Sequence, residues 1–139
     1  MTDAIILIVE DNDTDAEDAR RRLREWGFSN RIVHCHTAAE TMNAIGELKI
    51  ADEQIALALV DARLPDEDGL ELIKRLDCET ILLTGYGDSQ LLVNCYGAGS
   101  LGYIEKPLNY LQFSSLIKKS KRLGLAVMVQ ERGEDGGEV

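Results

Sequence analysis

Short apolar segments alternate with longer amphipathic segments five times along the chain. The apolar segments are four or five residues long and rich in Ile, Leu and Val, which favours β-strands. They cover residues 5–9, 32–36, 56–60, 80–84 and 101–104. The segments between them repeat apolar residues with a period near 3.6, which indicates helices. The pattern therefore predicts five consecutive βα units.

Helix start and stop signals stand where this alternation needs them. The first helix is predicted to begin near Asp13 and to end at Gly27. Thr37 and Glu40 have the spacing of a capping box, which predicts the start of the second helix. We expect four carboxylates each to cap the helix that follows them: Asp13, Asp66, Asp68 and Asp88. The inward-facing residues of the third, fourth and fifth helices are predicted to be Leu70, Ile73 and Leu76; Leu91, Leu92, Cys95 and Tyr96; and Phe113, Leu116 and Ile117.

Two of the predicted strands, residues 5–9 and 56–60, are apolar along their whole length. Such strands suit the centre of a parallel sheet that helices cover on both faces. Right-handed crossover connections then favour a doubly wound α/β sheet. Ligands of such sheets bind outside the carboxyl ends of the strands. We therefore expect the functional residues to follow the strands directly.

Polar residues stand at four of those strand ends. Glu10 and Asp11 follow the first strand, and Asp61 follows the third; Thr84 ends the fourth strand, and Lys106 follows the fifth. If the first and third strands are neighbours, their carboxylates converge, and two such charges 4 Å apart repel by roughly 4 kcal/mol at an effective dielectric constant near 20. A hard divalent cation such as Mg²⁺ suits oxygen ligands and shares phosphate oxygens. With Lys106 and Thr84, the set fits phosphoryl transfer.

Composition and charge narrow the classes of function. The 25 acidic residues outnumber the 15 basic ones, and the formal charge of −10 disfavours sequence-independent nucleic-acid binding. No apolar run approaches the roughly 20 residues that cross a bilayer, and no secretory signal precedes the first strand. Cys35, Cys78 and Cys95 lack the spacing of a zinc or redox site. We expect a cytoplasmic protein with reduced, mostly buried thiols, no membrane contact and no nucleic-acid partner.

Other candidate sites do not have the spacing that their chemistry requires. The acidic segment 11–15 lacks the glycine and the terminal glutamate of a calcium loop. Gly85 and Gly87 lack the third glycine of a dinucleotide-binding loop. His34 and His36 share one face of a predicted edge strand, but the sequence offers no apparent third ligand. A zinc site is therefore not expected there.

Four motifs, in this order, resemble the receiver domain of two-component response regulators, including the chemotaxis-regulator type. They are residues 8–12 (IVEDN), 59–69 (LVDARLPDEDG), 83–85 (LTG) and 99–107 (GSLGYIEKP). The resemblance runs from residue 4 to residue 123, and the domain is predicted to span residues 1–123. It implies a flavodoxin-like (βα)5 fold, in which a five-stranded parallel sheet has the strand order 2-1-3-4-5.

The resemblance also implies a phosphorylation site. Asp61 would be the phosphoacceptor that attacks a phosphohistidine. Mg²⁺ would be held by Glu10, Asp11 and Asp61, together with the backbone carbonyl of Arg63. Lys106 would contact a phosphoryl oxygen and stabilise its charge.

A conformational switch is the second implication. Thr84 would bond a phosphoryl oxygen, Tyr103 would change rotamer with it, and the peptide bond before Pro107 would be cis. Arg63 and Tyr86 are larger than the residues that many receivers carry at these positions. We expect both side chains to shield the phosphoryl group from water.

The resemblance implies a phosphorylation switch that catalyses only its own phosphotransfer and dephosphorylation, in a two-component system or a phosphorelay. Its donor would be a histidine kinase or a histidine phosphotransfer protein. A downstream protein, or a second copy in a homodimer, would dock on the fourth helix, fifth strand and fifth helix. We expect a stand-alone receiver whose residues 124–139 form an extension with an acidic, disordered tail. Two alternatives stay open: a pseudo-receiver adaptor that never takes phosphate, and a receiver excised from a hybrid kinase or transcription factor.

Overall fold

The five predicted βα units form one doubly wound sheet. The structure is a computed structural model, and it describes residues 4–120. The strands are β1 (Ile5–Val9), β2 (Ile32–Cys35), β3 (Ile55–Asp61), β4 (Glu79–Thr84) and β5 (Tyr103–Glu105). The helices are α1 (Asp13–Glu25), α2 (Ala38–Ile50), α3 (Gly69–Ile73), α4 (Ser89–Gly97) and α5 (Tyr110–Ile117). All strand pairs are parallel, and the order β2-β1-β3-β4-β5 confirms the predicted topology.

Both faces of the sheet are buried, which explains why β1 and residues 55–60 of β3 lack polar side chains. Ile6 and Ile8 of β1 face a core that they share with α1 and α5. Ile5, Leu7 and Val9 face the opposite core, which includes residues of α2, α3 and α4. Successive residues of a strand point to opposite faces, so a strand covered on both sides must be apolar throughout.

The last strand begins later than predicted. Residues 101–104 were expected to pair, but β5 starts at Tyr103. The hydroxyl of Ser100 donates to the backbone oxygens of Thr80 and Gly102, and Gly102 has a φ of +150°. Leu101 and Gly102 still bond to the β4 backbone, at 2.9 Å and 3.0 Å, but the bend at Gly102 interrupts the regular strand before Tyr103. The other strand ends differ from the prediction by one residue at most; β2, for example, ends before His36.

Two of the four predicted caps are wrong. Asn12, not Asp13, caps α1 by accepting from the backbone N–H of Asp15 at 2.9 Å. Asp66 caps α2 and not α3, the helix that follows it. Its carboxylate accepts hydrogen bonds from the backbone N–H groups of Ala38 and Ala39 at the start of α2, both at 3.0 Å. These bonds lower the pKa of Asp66. The capping predictions for Asp68 and Asp88 are confirmed, as is the Thr37 cap of α2.

The buried faces of the helices match the predicted stripes only in part. Phe113 and Leu116 of α5 are buried as predicted, and Cys95 is fully buried in α4. Tyr96 was expected to face inward but is 50% exposed. In α3 the fully buried leucine is Leu72, whereas Leu70, and Leu76 in the turn after α3, are only partly buried. A helix of five residues is too short for its periodicity alone to define one face.

Gly69 allows α3 to begin directly beneath the end of β3. Its N–H donates to the backbone oxygen of Ala62 at 2.9 Å, and a Cβ at this position would overlap the backbone oxygen of Asp61. Only glycine permits this close approach of two backbones. The residue therefore helps to set the position of Asp61.

The predicted C-terminal extension, residues 124–139, lies outside the described residues. Among residues 4–120, no helix is both long enough and apolar enough to cross a membrane.

The aromatic cluster of α5 generates a stability prediction. Phe113 is fully buried, with its ring centroid 5.4 Å from that of Phe28 and 5.6 Å from that of Trp26. We expect Phe113→Ala to lower the free energy of unfolding by about 3–5 kcal/mol through lost burial and a cavity. Leu111→Ala is the control on the same helix, because Leu111 is 77% exposed, and its effect should stay within about 0.5 kcal/mol. Urea denaturation of both variants measures their free energies of unfolding. Equal losses in Phe113→Ala and Leu111→Ala would contradict the prediction.

A second prediction compares two glycine substitutions. Gly69→Ala should destabilise the protein by about 1–3 kcal/mol, since neither backbone segment can move cheaply. Gly46→Ala should instead stabilise it by about 0.5–1 kcal/mol, because Gly46 lies inside α2 with open space around its Cβ position. Urea denaturation measures the change in the free energy of unfolding for both variants. An unchanged free energy of unfolding in Gly69→Ala would show that the close approach of the two backbones is not needed.

Candidate functional site

Three carboxylates meet at the carboxyl ends of β1 and β3. Val9 pairs with Val60 across these strands, so the residues that follow them come together. One carboxylate oxygen from each of Glu10, Asp11 and Asp61 lies within 4.8 Å of the others. Glu10 and Asp61 are buried, whereas Asp11 is exposed. The convergence predicted from the strand ends is therefore present.

Lys106 brings a positive charge into this group from the end of β5. Its Nζ lies 2.7 Å from Oε1 of Glu10 and 3.3 Å from Oδ1 of Asp61. Its backbone N–H donates to the oxygen of Thr84 at 2.8 Å, which fastens the segment to β4. The peptide bond between Lys106 and Pro107 is cis, as the sequence resemblance implies.

Asp15 also belongs to this cluster, although the sequence analysis did not single it out. Its Oδ2 lies 3.3 Å from Nζ of Lys106. Asp15 follows Asp11 by four residues and lies in the first turn of α1, whereas Asp11 precedes the N-cap residue Asn12. That spacing was the available signal, but the spacing alone gives no indication that Lys106 lies opposite.

The charges of the cluster do not balance. Glu10, Asp11, Asp15 and Asp61 surround one lysine ammonium group, so the fully ionised set is strongly negative. Burial raises the pKa of Glu10, and the charge of Asp61 adds to this effect. Burial alone would lower the pKa of Lys106, but its hydrogen bond to Glu10 and the nearby carboxylates raise it overall. Both shifts favour the protonated forms: burial is the main cause for Glu10, and the surrounding carboxylates are the cause for Lys106.

Glu10 is held in a defined orientation. Oε1 accepts from Lys106, and Oε2 accepts from the backbone N–H of Asn12 at 3.1 Å. Each carboxylate oxygen has two lone pairs, so each retains capacity for a further ligand. The donor set consists of oxygen atoms throughout, which is the chemistry that a hard cation of the Mg²⁺ type prefers.

Thr84 and Tyr103 lie at two sides of the loop that follows β4. The Thr84 hydroxyl donates to the backbone oxygen of Tyr86 at 2.9 Å. The half-buried ring of Tyr103 lies so close to Gly87 that a Cβ there would overlap it. The N–H of Gly87 also donates to the carboxylate of Glu105 at 2.8 Å. A movement of this loop would therefore change the contacts of both Thr84 and Tyr103.

Arg63 and Tyr86, the two unusually large residues, are both exposed. Arg63 lies in the turn after β3, where its backbone forms an antiparallel bridge with Asp68. Tyr86 is 73% exposed in the loop after β4. Both positions border the carboxyl ends of the strands that carry Asp61 and Thr84.

Comparison with known sequences identifies relatives among the response regulators. The sequence profile of the family described as "Response regulator receiver domain" matches residues 6–118. The transcriptional regulatory protein FixJ of Rhizobium meliloti (strain 1021) is 31% identical over 112 residues, which is 77% of this chain and 52% of FixJ. The chain spans only 27% to 56% of the length of the first curated relatives that it matches.

Solved structures share the fold. A CheY-like response regulator receiver domain protein from Methanospirillum hungatei JF-1 is 31% identical with a TM-score of 0.64, covering 85% of this chain and 93% of that one. A response regulator protein from Burkholderia pseudomallei, crystallised with a phosphorylated aspartic acid, a calcium ion and citrate, is 25% identical with a TM-score of 0.67. The alignment covers 82% of this chain and 66% of the Burkholderia protein.

The profile match covers residues 6–118, and a solved structure of a receiver domain shares the fold. The chain therefore belongs to the response regulator receiver domain family of two-component signal transduction.

Proposed function

We propose that Asp61 is the phosphoacceptor of this receiver and that the domain, residues 1–123, acts as a phosphorylation-controlled switch in the cytoplasm. The donor is a phosphohistidine on a histidine kinase or on a histidine phosphotransfer protein of a phosphorelay. The observation that carries the proposal is the position of Asp61, a buried carboxylate at a strand end with the Lys106 ammonium group 3.3 Å away. The phosphorylated aspartic acid in the Burkholderia pseudomallei relative supports the same chemistry.

The transfer itself exchanges one bond for another. A carboxylate oxygen of Asp61 forms a bond to phosphorus while the phosphorus–nitrogen bond of phosphohistidine breaks. The imidazole nitrogen keeps the electron pair and takes up a proton, and an acyl phosphate remains on Asp61. Catalysis of such transfers consists mainly of positioning and charge neutralisation. Lys106 lies where its ammonium group can contact a phosphoryl oxygen on Asp61.

The residues present fit a magnesium ion. We assign its ligands to Glu10, Asp11, Asp61 and the backbone carbonyl of Arg63, because the side chains supply only oxygen donors and carry excess negative charge. When bound, the ion neutralises charge on the phosphoryl oxygens. Glu10 is already oriented by Asn12 and Lys106, so its carboxylate needs little reorganisation.

The switch would start at Thr84. In the structure its hydroxyl donates to the backbone oxygen of Tyr86, and a phosphoryl oxygen on Asp61 would compete for that donor. Withdrawal of the hydroxyl changes the loop that Gly87 and Tyr103 share. Tyr103 is then the residue whose ring position reports phosphorylation to the surface of α4, β5 and α5.

That surface offers apolar side chains for a protein partner or for a second copy of the chain. The exposed large apolar residues of α4 and α5 are Val93, Tyr96, Tyr110 and Leu111, and Tyr86 is exposed in the loop before α4. We propose it as the docking face for the downstream protein. A pseudo-receiver adaptor that never takes phosphate does not require an ammonium group beside Asp61. The Asp61 and Lys106 pair therefore favours the phosphoacceptor function.

Intact mass spectrometry tests the phosphoacceptor assignment. After incubation with acetyl phosphate and Mg²⁺, the protein should gain one phosphoryl group, and Asp61→Asn should gain none. Asp88→Asn is the matched control, because Asp88 also lies at the carboxyl edge of the sheet and asparagine caps a helix as well as aspartate does. It should be phosphorylated normally. Phosphorylation of Asp61→Asn, or of no variant at all, would refute the assignment.

Loss of the phosphoryl group tests the shielding by Arg63 and Tyr86. We expect phosphorylated Arg63→Ala and Tyr86→Ala to lose the group severalfold faster, because water gains access to phosphorus. Leu111→Ala removes an exposed apolar side chain elsewhere and should decay like the parent protein. The mass-spectrometric time course supplies the rates, and unchanged decay in both alanine variants would exclude shielding.

A further inference from the structure

A second group of metal-binding side chains lies at the rim of the carboxylate site. The chain contains two histidines, His34 and His36. His34 lies in the edge strand β2 and His36 directly follows that strand, so both rings leave the same face with their centroids 4.2 Å apart. The structure places Asp13, the first residue of α1, beside them, with Oδ1 2.7 Å from Nε2 of His36. The third ligand that the sequence did not reveal is therefore present.

The three side chains are close enough to share one ion. One ligand atom from each of Asp13, His34 and His36 lies within 4.8 Å of the others. Donors around a tetrahedral zinc ion lie about 3.4 Å apart, since each bond is about 2.0–2.1 Å long. Asp13 and His36 are largely solvent-exposed on this rim, so small side-chain rotations can close the difference.

The outer hydrogen bonds prepare both imidazoles for a metal. Nε2 of His34 lies 2.7 Å from the backbone oxygen of Glu10, and a carbonyl oxygen only accepts, so Nε2 carries the proton and Nδ1 keeps a lone pair. On the other ring, Nδ1 of His36 faces Oε1 of Glu40 at 3.4 Å. Glu40 is itself fixed by the backbone N–H of His36 at 2.8 Å. Histidines that bind metals typically donate their second N–H to such carbonyl or carboxylate groups.

We propose that His34, His36 and Asp13 bind a divalent transition-metal ion of the Zn²⁺ class. Two imidazoles and one carboxylate are the donors that such borderline ions prefer, and three protein ligands leave a position for water. The site is distinct in chemistry from the all-oxygen group of Glu10, Asp11 and Asp61. It does not depend on the phosphoacceptor role of Asp61, although both sites share the backbone of residues 10–13.

Calorimetric titration of the full chain with Zn²⁺, in buffer saturated with Mg²⁺, tests the site. The Mg²⁺ occupies the oxygen ligands, and we expect Zn²⁺ to bind with one-to-one stoichiometry. His34→Ala and His36→Ala should each weaken this binding by at least about tenfold. Glu17→Gln is the matched control, because Glu17 is 72% exposed one helical turn after Asp13 in α1 and belongs to neither group of metal-binding side chains. It should retain the Zn²⁺ affinity.

Cobalt spectroscopy separates histidine ligation from other sources of binding. Co²⁺ at the proposed site should give visible ligand-field bands without the sulfur charge-transfer band that Cys35 would produce. His36→Gln provides a second variant, and urea denaturation shows whether each variant is folded. Absence of Zn²⁺ binding, binding that survives both histidine substitutions, or binding lost in Glu17→Gln would overturn the proposal.

Discussion

The excess of carboxylates over cations at the ends of β1 and β3 is the constraint on which the functional arrangement depends. The parallel register between these strands brings Glu10 and Asp61 to the same edge of the sheet, where both are buried. Like charges so close would repel one another. Lys106 offsets part of that repulsion by contacting both. The charges of the site are therefore positioned but not balanced.

Burial of the apolar sheet offsets the repulsion between the carboxylates, because the strands that carry them pack against helices on both faces. Ile5 and Ile6, on opposite faces of β1, are both fully buried. Burial of that kind contributes roughly 1.5–3 kcal/mol for each large aliphatic side chain. The strand ends can then hold polar groups in an unfavourable mutual environment without loss of the fold. The close approach at Gly69 adds a further restraint on the segment after Asp61.

Side-chain hydrogen bonds connect the segments around the carboxylate site to neighbouring elements of the fold. Asp66, in the turn after β3, caps α2 and thereby links the Asp61 region to the helix that follows β2. Glu105 holds the loop after β4 through Gly87. On the other side, His34 donates to the backbone of Glu10. Each of these bonds therefore connects a segment beside the site to a different part of the fold.

The sequence by itself determined the alternation of strands and helices and the composition of the carboxylate site. Strands buried on both faces must be apolar throughout, and residues that end such strands must gather at one edge of a parallel sheet. This is why Asp61 and Lys106 could be placed together without coordinates. Only the tertiary structure decided which partners the other polar residues find. Asp15 meets Lys106, Asp13 meets the histidines, and Asp66 caps α2 across a separation of 28 residues. Such contacts depend on how elements are positioned in space, and residue spacing along the chain does not record those distances.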